Sequence, residues 1–100
     1  MYGSPVGTTR VTSSQELVPT QYHARVFNIN FMSAGTSSTI KLLTNGVAGT
    51  VLIQEQNTGS NPKTVDFGVN GVEFPNGVWV TLDAQTSYAT ISYRREESNL

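Results

Sequence analysis

One hundred residues, of which 37% are hydrophobic, 13% charged and 9% aromatic, suffice for one small core, not for the two-domain design of most larger enzymes. Six basic against seven acidic residues leave a formal charge of −1, which offers no electrostatic footprint for nucleic acid or anionic lipid. Cysteine is absent, which removes a disulfide framework, a thiol nucleophile and a thiolate metal site.

The chain is nonetheless expected to fold. Leu, Ile, Val and Phe number 6, 4, 11 and 4, above the roughly 20% level below which disorder sets in. Residues Met1 to Thr20 hold one arginine and no apolar block of signal-peptide length, and no window approaches ~18 consecutive apolar residues. Neither a standard secretion signal nor a membrane span is expected. The Gly/Pro/Thr mixture at the start has no strand or helix periodicity, so residues 1–20 read as an extended arm, 21–96 as the folded domain and 97–100 as a polar tail. Tyr2, Val6, Val11, Leu17 and Val18 are the apolar side chains with which such an arm would grip a neighbour.

The chain as a whole is rich in β-branched residues, with 11 Val, 13 Thr and 4 Ile, and no ten-residue stretch carries a 3.6-residue period. A short strand is expected over Gln15 to Val18. From Tyr22 to Met32 the alternation predicts a longer one, with Phe27, Ile29 and Phe31 inward and Asn28 and Asn30 outward. Further strands are expected at Thr39 to Thr44, Thr50 to Gln56, Thr64 to Val69, Val72 to Phe74, Val78 to Asp83 and Tyr88 to Arg94. In the Val78 strand, Val78, Val80 and Leu82 share one face, which turns Trp79 and Thr81 to the other.

Three Asn-Gly pairs, at 45–46, 70–71 and 76–77, fall between these strands, where both residues tolerate the positive φ of a tight turn. A two-residue hairpin at Asn70-Gly71 would set Val69 opposite Val72 and Phe67 opposite Phe74, with Gly68 and Glu73 on the other face. Seven or eight short strands separated by such turns predict an all-β fold, an antiparallel β-sandwich of jelly-roll or immunoglobulin-like type.

Chemistry is sparse in this sequence. The one histidine, His23, stands without a Gly-x-Ser-x-Gly elbow, and one His with no Cys is a poor zinc set. The carboxylates Glu16, Glu55, Asp66, Glu73, Asp83, Glu96 and Glu97 are scattered, with no Asp-x-Asp-x-Asp calcium loop, and Gly68-Val-Asn-Gly71 lacks the lysine and helix of a phosphate cradle. No catalytic residue, metal or cofactor is expected. Trp79 reads either as an outward binding or interface aromatic, and a sugar platform if Tyr88 or Tyr93 lies beside it, or as part of a strand covered on both sides.

The runs Phe27-Asn-Ile-Asn-Phe31, Thr39-Ile-Lys-Leu-Leu43, Gly49-Thr-Val-Leu-Ile53, Val72-Glu-Phe-Pro-Asn-Gly77 and Ala89-Thr-Ile-Ser-Tyr93 together resemble short virion proteins of tailed bacteriophages, those of cyanobacteria included. Many such proteins are head decoration, or cement, proteins: trimeric β-sandwiches that clamp neighbouring shell subunits. The resemblance implies a non-enzymatic structural protein, made in the host cytoplasm and carried on the capsid surface, with the major capsid protein as partner and a homotrimer as its state. The alternative is a carbohydrate-binding or adhesion module of a tail fibre.

Overall fold

The computed structural model describes residues 7–59 and 61–98. Nine strands follow in order: β1 (Gly7–Val11), β2 (Gln15–Val18), β3 (Tyr22–Ser33), β4 (Ser38–Thr44), β5 (Thr50–Asn57), β6 (Lys63–Asp66), β7 (Val72–Phe74), β8 (Val78–Leu82) and β9 (Thr86–Ser98). They build two antiparallel sheets that face each other across one core. The first sheet runs β1-β9-β3-β6, with β7 also on β3, and the second runs β2-β8-β4-β5.

This order is that of a jelly roll. Strands β6 and β7 lie end to end along the same edge of β3, so they count as one interrupted strand. The pairs β1–β9, β2–β8, β3–β6/β7 and β4–β5 then nest inside one another, like a long antiparallel ribbon rolled up so that alternate pairs fall in opposite sheets. Contacts β3–β9 and β4–β8 close the roll.

The core follows from which side chains the strands turn inward. Ala24, Val26, Ile29, Phe31, Phe74, Ala89, Ile91 and Val11 come from the first sheet, and Val18, Ile40, Leu42, Ile53, Val78 and Val80 from the second. Each large aliphatic or aromatic side chain so buried contributes about 1.5–3 kcal/mol.

Strand β3 departs from simple alternation. Val26 opposes Tyr93 and Asn28 opposes Ser92, which leaves Phe27 as the extra residue of a β-bulge. Even positions 24 and 26 therefore face the core before the bulge, and odd positions 29, 31 and 33 after it. Phe27, expected inward, is only half-buried and sits on the outer side, under the guanidinium of Arg94 at 5.4 Å.

The hairpin expected at Asn70-Gly71 does not form. Strand β6 pairs with β3 at residues 28–31 and β7 pairs with it at 24–26, and residues 68–71 loop out between them. The Phe67 amide still donates to the Phe27 carbonyl at 2.9 Å, and the Gly71 amide closes a turn on the Gly68 carbonyl at 3.3 Å, with Val69 92% exposed at its tip. Gly71 has φ +63, and a Cβ there would meet the Val26 carbonyl oxygen at 2.7 Å and the Phe27 ring at 3.0 Å. The glycine is needed to bring the chain back beside the bulge, not to turn a hairpin. Phe67 and Phe74 both lie on the core side, but Phe74 opposes Ala24 across β3.

The other two Asn-Gly pairs differ from each other. Asn45 (φ 70) and Gly46 (φ 87) begin the loop of the β4–β5 hairpin, as expected. Asn76-Gly77 instead joins β7 in one sheet to β8 in the other, with the Gly77 amide donating to the Tyr22 carbonyl at 2.8 Å.

The N-terminal boundary also moves. Residues 7–18, expected in an arm, supply β1 to one sheet and β2 to the other, β2 being the strand expected over Gln15 to Val18. Each of these short strands sinks one valine into the core, and two single buried residues on opposite sheets leave no periodicity to read. Ser14 holds the corner between them, its hydroxyl accepting from the Leu82 amide at 2.9 Å. At the other end β9 continues past Arg95 through residue 98, where it opposes Tyr22, so two residues of the expected tail are strand.

Phe31→Ala is expected to lower the unfolding free energy by ~3–5 kcal/mol, and Phe27→Ala by less than half as much because the bulge takes Phe27 out of the core. Chemical denaturation of the two variants reads both numbers, and equal losses would place Phe27 in the core after all.

Candidate functional site

The sequence-derived partner residues do not converge. Val11 and Val18 are buried in the core, and Leu17, the extra residue of a bulge between Glu16 and Val18, packs against it. These three hold their own fold together and are not free to anchor a neighbour. Tyr2 and Val6 lie outside the described residues. Trp79 does face outward: Val78 and Val80 are buried beneath it, and it opposes Glu16 on one side and Leu43 on the other.

The two tyrosines expected to accompany Trp79 do not lie beside it. Tyr88 and Tyr93 are in β9, in the opposite sheet. The Tyr88 ring carries the guanidinium of Arg10 at 4.5 Å, and Tyr93 packs on the core with its hydroxyl 3.2 Å from that of Thr9.

Most of the titratable groups among the described residues are engaged in structure. His23 Nδ1 lies 3.4 Å from Glu73, both half-exposed. Glu96 is shared by Arg25 at 3.4 Å and Arg94 at 2.9 Å. Asp66 accepts from the Gly68 amide, and Asp83 from the amides of Thr39 and Gln85 and the hydroxyl of Thr86. Among the described residues no three His, Asp or Glu side chains are grouped to hold a metal ion. A buried polar cluster does exist, in which the Asn57 amide donates to the carbonyls of Phe31 (3.1 Å) and Asn61 (2.8 Å) while Ser33 donates to the Asn57 carbonyl and lies 2.7 Å from the Ser38 hydroxyl. Every polar group there is directed at backbone or at another hydroxyl, so it closes one end of the core.

Two edge strands meet at one side of the sandwich. Glu55 of β5 and Lys63 of β6 oppose the core residues Ile40 and Phe31, yet are joined to each other at 3.6 Å across the gap between the sheets. Inward-pointing charge on both edges discourages a further strand from adding there, and the bulge that leaves Leu52 unpaired between Leu42–Ile53 and Leu43–Val51 distorts the β5 edge as well.

The outer face of the second sheet is where unsatisfied surface collects. Directly opposed residues of antiparallel strands share a face, so Glu16, Trp79, Leu43 and Val51 form one row across β2, β8, β4 and β5. Trp79 Nε1 is buried and has no acceptor among the described residues. Next to this row, Thr39, Lys41, Gln54, Thr81 and Asp83 line an open polar groove of about 290 Å³. At the end of the same sheet the β4–β5 hairpin exposes three aliphatic side chains, Val47 at 64%, Val51 at 41% and Leu52 at 38%. Consecutive apolar residues at Leu42-Leu43 and Val78-Trp79-Val80 are the sequence signal for a strand covered on both sides, but the row they form needs the strand order.

Comparison with known protein families, characterised proteins and solved structures finds no match to this chain.

Asn57→Ala is expected to cost about 1–3 kcal/mol by leaving buried carbonyls unpaired, and His23→Ala under ~1 kcal/mol because its partner is a half-exposed surface charge. Thermal and denaturant unfolding measure both; a large loss at His23 would assign that pair a role the geometry does not give it.

Proposed function

We propose that this chain is a non-enzymatic structural protein of a virus particle, a capsid decoration protein that binds the shell built by the major capsid protein. The observation that carries the reading is the exposed aliphatic surface of the β4–β5 hairpin, Val47, Val51 and Leu52, on a jelly roll whose described charged groups serve mainly turns and cross-strand pairs. The resemblance of the strand sequences to phage virion proteins supplies the class of partner. The hairpin replaces Val11, Leu17 and Val18 as the grip, since those residues belong to the core.

The hairpin suits such a contact physically. The bulge at Leu52 keeps this sheet edge from adding strands indiscriminately, so its affinity for a shell would come from side-chain burial and not from an open backbone ladder. Removing three aliphatic side chains from water against one surface supplies several kcal/mol before the costs of association.

Co-sedimentation with shells assembled from the major capsid protein of the same virus tests the reading. Saturable binding is expected, reduced at least tenfold by Val47→Asp with Leu52→Asp, which leaves the core untouched. Shells that sediment without the protein at saturating concentration refute it.

A further inference from the structure

Among the described residues, nearly every charged side chain has a partner within the chain. Arg10 lies on Tyr88 and Arg95 on Tyr22, Arg25 and Arg94 share Glu96, His23 meets Glu73, Lys63 meets Glu55, and Asp66 and Asp83 accept from backbone amides. Glu16 and Lys41 are the two that have none. They are opposite in sign, both exposed, and both on the outer face of the sheet β2-β8-β4-β5.

Their placement keeps them apart in one chain. Glu16 opposes Trp79, Trp79 opposes Leu43, and Lys41 lies two residues along β4 from Leu43 on the same face. Two strand spacings across and two residues along put their Cα atoms about 12 Å apart. The space between holds Trp79, Thr81 and Leu43.

We propose that this face packs against the same face of a second copy of the chain, about a twofold axis that lies in the interface and passes between Trp79 and Thr81. Such an axis exchanges the positions of Glu16 and Lys41, so each Glu16 meets the second copy's Lys41, twice in one interface. The same operation brings the part-exposed Trp79 over the second copy's Leu43, which is only 6% exposed in its own chain, so the indole supplies most of the apolar centre, with the charges outside it. An isologous contact requires a self-complementary patch, and a patch bearing one cation and one anion on either side of an apolar centre is one. The broad side of the sandwich extends 42 × 27 Å between Cα atoms, room enough for the roughly 800 Å² per partner that stable interfaces bury. The arrangement is twofold where the resemblance to phage proteins implies a threefold one, and it does not rest on the virion reading.

Charge reversal tests it without any shell. Light scattering of the purified full chain at ~100 µM, well above a micromolar Kd, should give twice the chain mass. Glu16→Lys or Lys41→Glu alone should weaken self-association at least tenfold by facing like charges across the interface, and the double reversal should restore it. Both side chains are exposed, so the thermal midpoint measured under dissociating dilution should stay at the wild-type value and exclude misfolding as the cause. A monomer, a trimer, or a dimer indifferent to both reversals overturns the proposal. A monomer whose shell binding falls in Glu16→Lys overturns it too, and gives the face to the shell.

Discussion

The bulge at Phe27 is the constraint on which the first sheet depends. Strand β3 is twelve residues long and pairs with β9 along nearly its whole length, so one parity of side chains would ordinarily face the core throughout. That parity would bury either Ala24 and Val26 with Asn28 and Asn30, or Arg25 and Phe27 with Ile29 and Phe31. Either choice puts polar side chains in a core too small to satisfy them. One extra residue resolves the conflict: the small pair 24 and 26 face in at one end, the large pair 29 and 31 at the other, and the polar residues of both halves face out. The edge strand must follow the same change of parity, and it does so by breaking into β6 and β7 with a glycine-bounded excursion opposite the bulge.

This is also where sequence pattern and structure part company, for a definable reason. Alternation within a strand is a local property, and it located most strands to within a residue or two: Thr39 to Thr44 against Ser38–Thr44, Val72 to Phe74 without change. A bulge is a property of a pair of strands, and nothing in Val26-Phe27-Asn28 marks which residue is extra. The Asn70-Gly71 dipeptide carries an authentic positive-φ signal at Gly71, but a left-handed residue serves a hairpin and an edge-strand excursion equally well. Strand β2 matches the strand expected over Gln15 to Val18, but neither it nor β1 is recognisable as a sandwich member from its own residues, because each is short and places a single valine in the core; membership is decided by β9, about eighty residues from β1, and β8, about sixty from β2.

The outward direction of Trp79 was legible, because Val78 and Val80 fix it locally. Its neighbours were not. Glu16 and Leu43 come beside it only through the order β2-β8-β4, and the same order removes Tyr88 and Tyr93 to the far sheet. The candidate surface therefore differs from the one the sequence suggests: not an aromatic cluster with an N-terminal grip, but a single indole in a row with one aliphatic and one acidic side chain.

The two outer faces of the sandwich then have different physical characters. On the first sheet the polar side chains bind one another, Thr8 with Ser92 at 3.2 Å and Asn30 with Thr64 at 2.7 Å, while Arg10 and Arg94 lie over aromatic rings of their own chain. A partner landing there would have to break these contacts before making its own, and an exposed hydrogen bond exchanged for another contributes little. On the second sheet Glu16 and Lys41 have no contact among the described residues to give up, the part-exposed Trp79 between them gains by leaving water, and the β4–β5 hairpin adds exposed aliphatic surface at the end. Recognition by burial and by new ion pairs is favoured on the second face and disfavoured on the first. The asymmetry arises because the same few charged residues that close turns and edges elsewhere are missing from the middle of this one sheet.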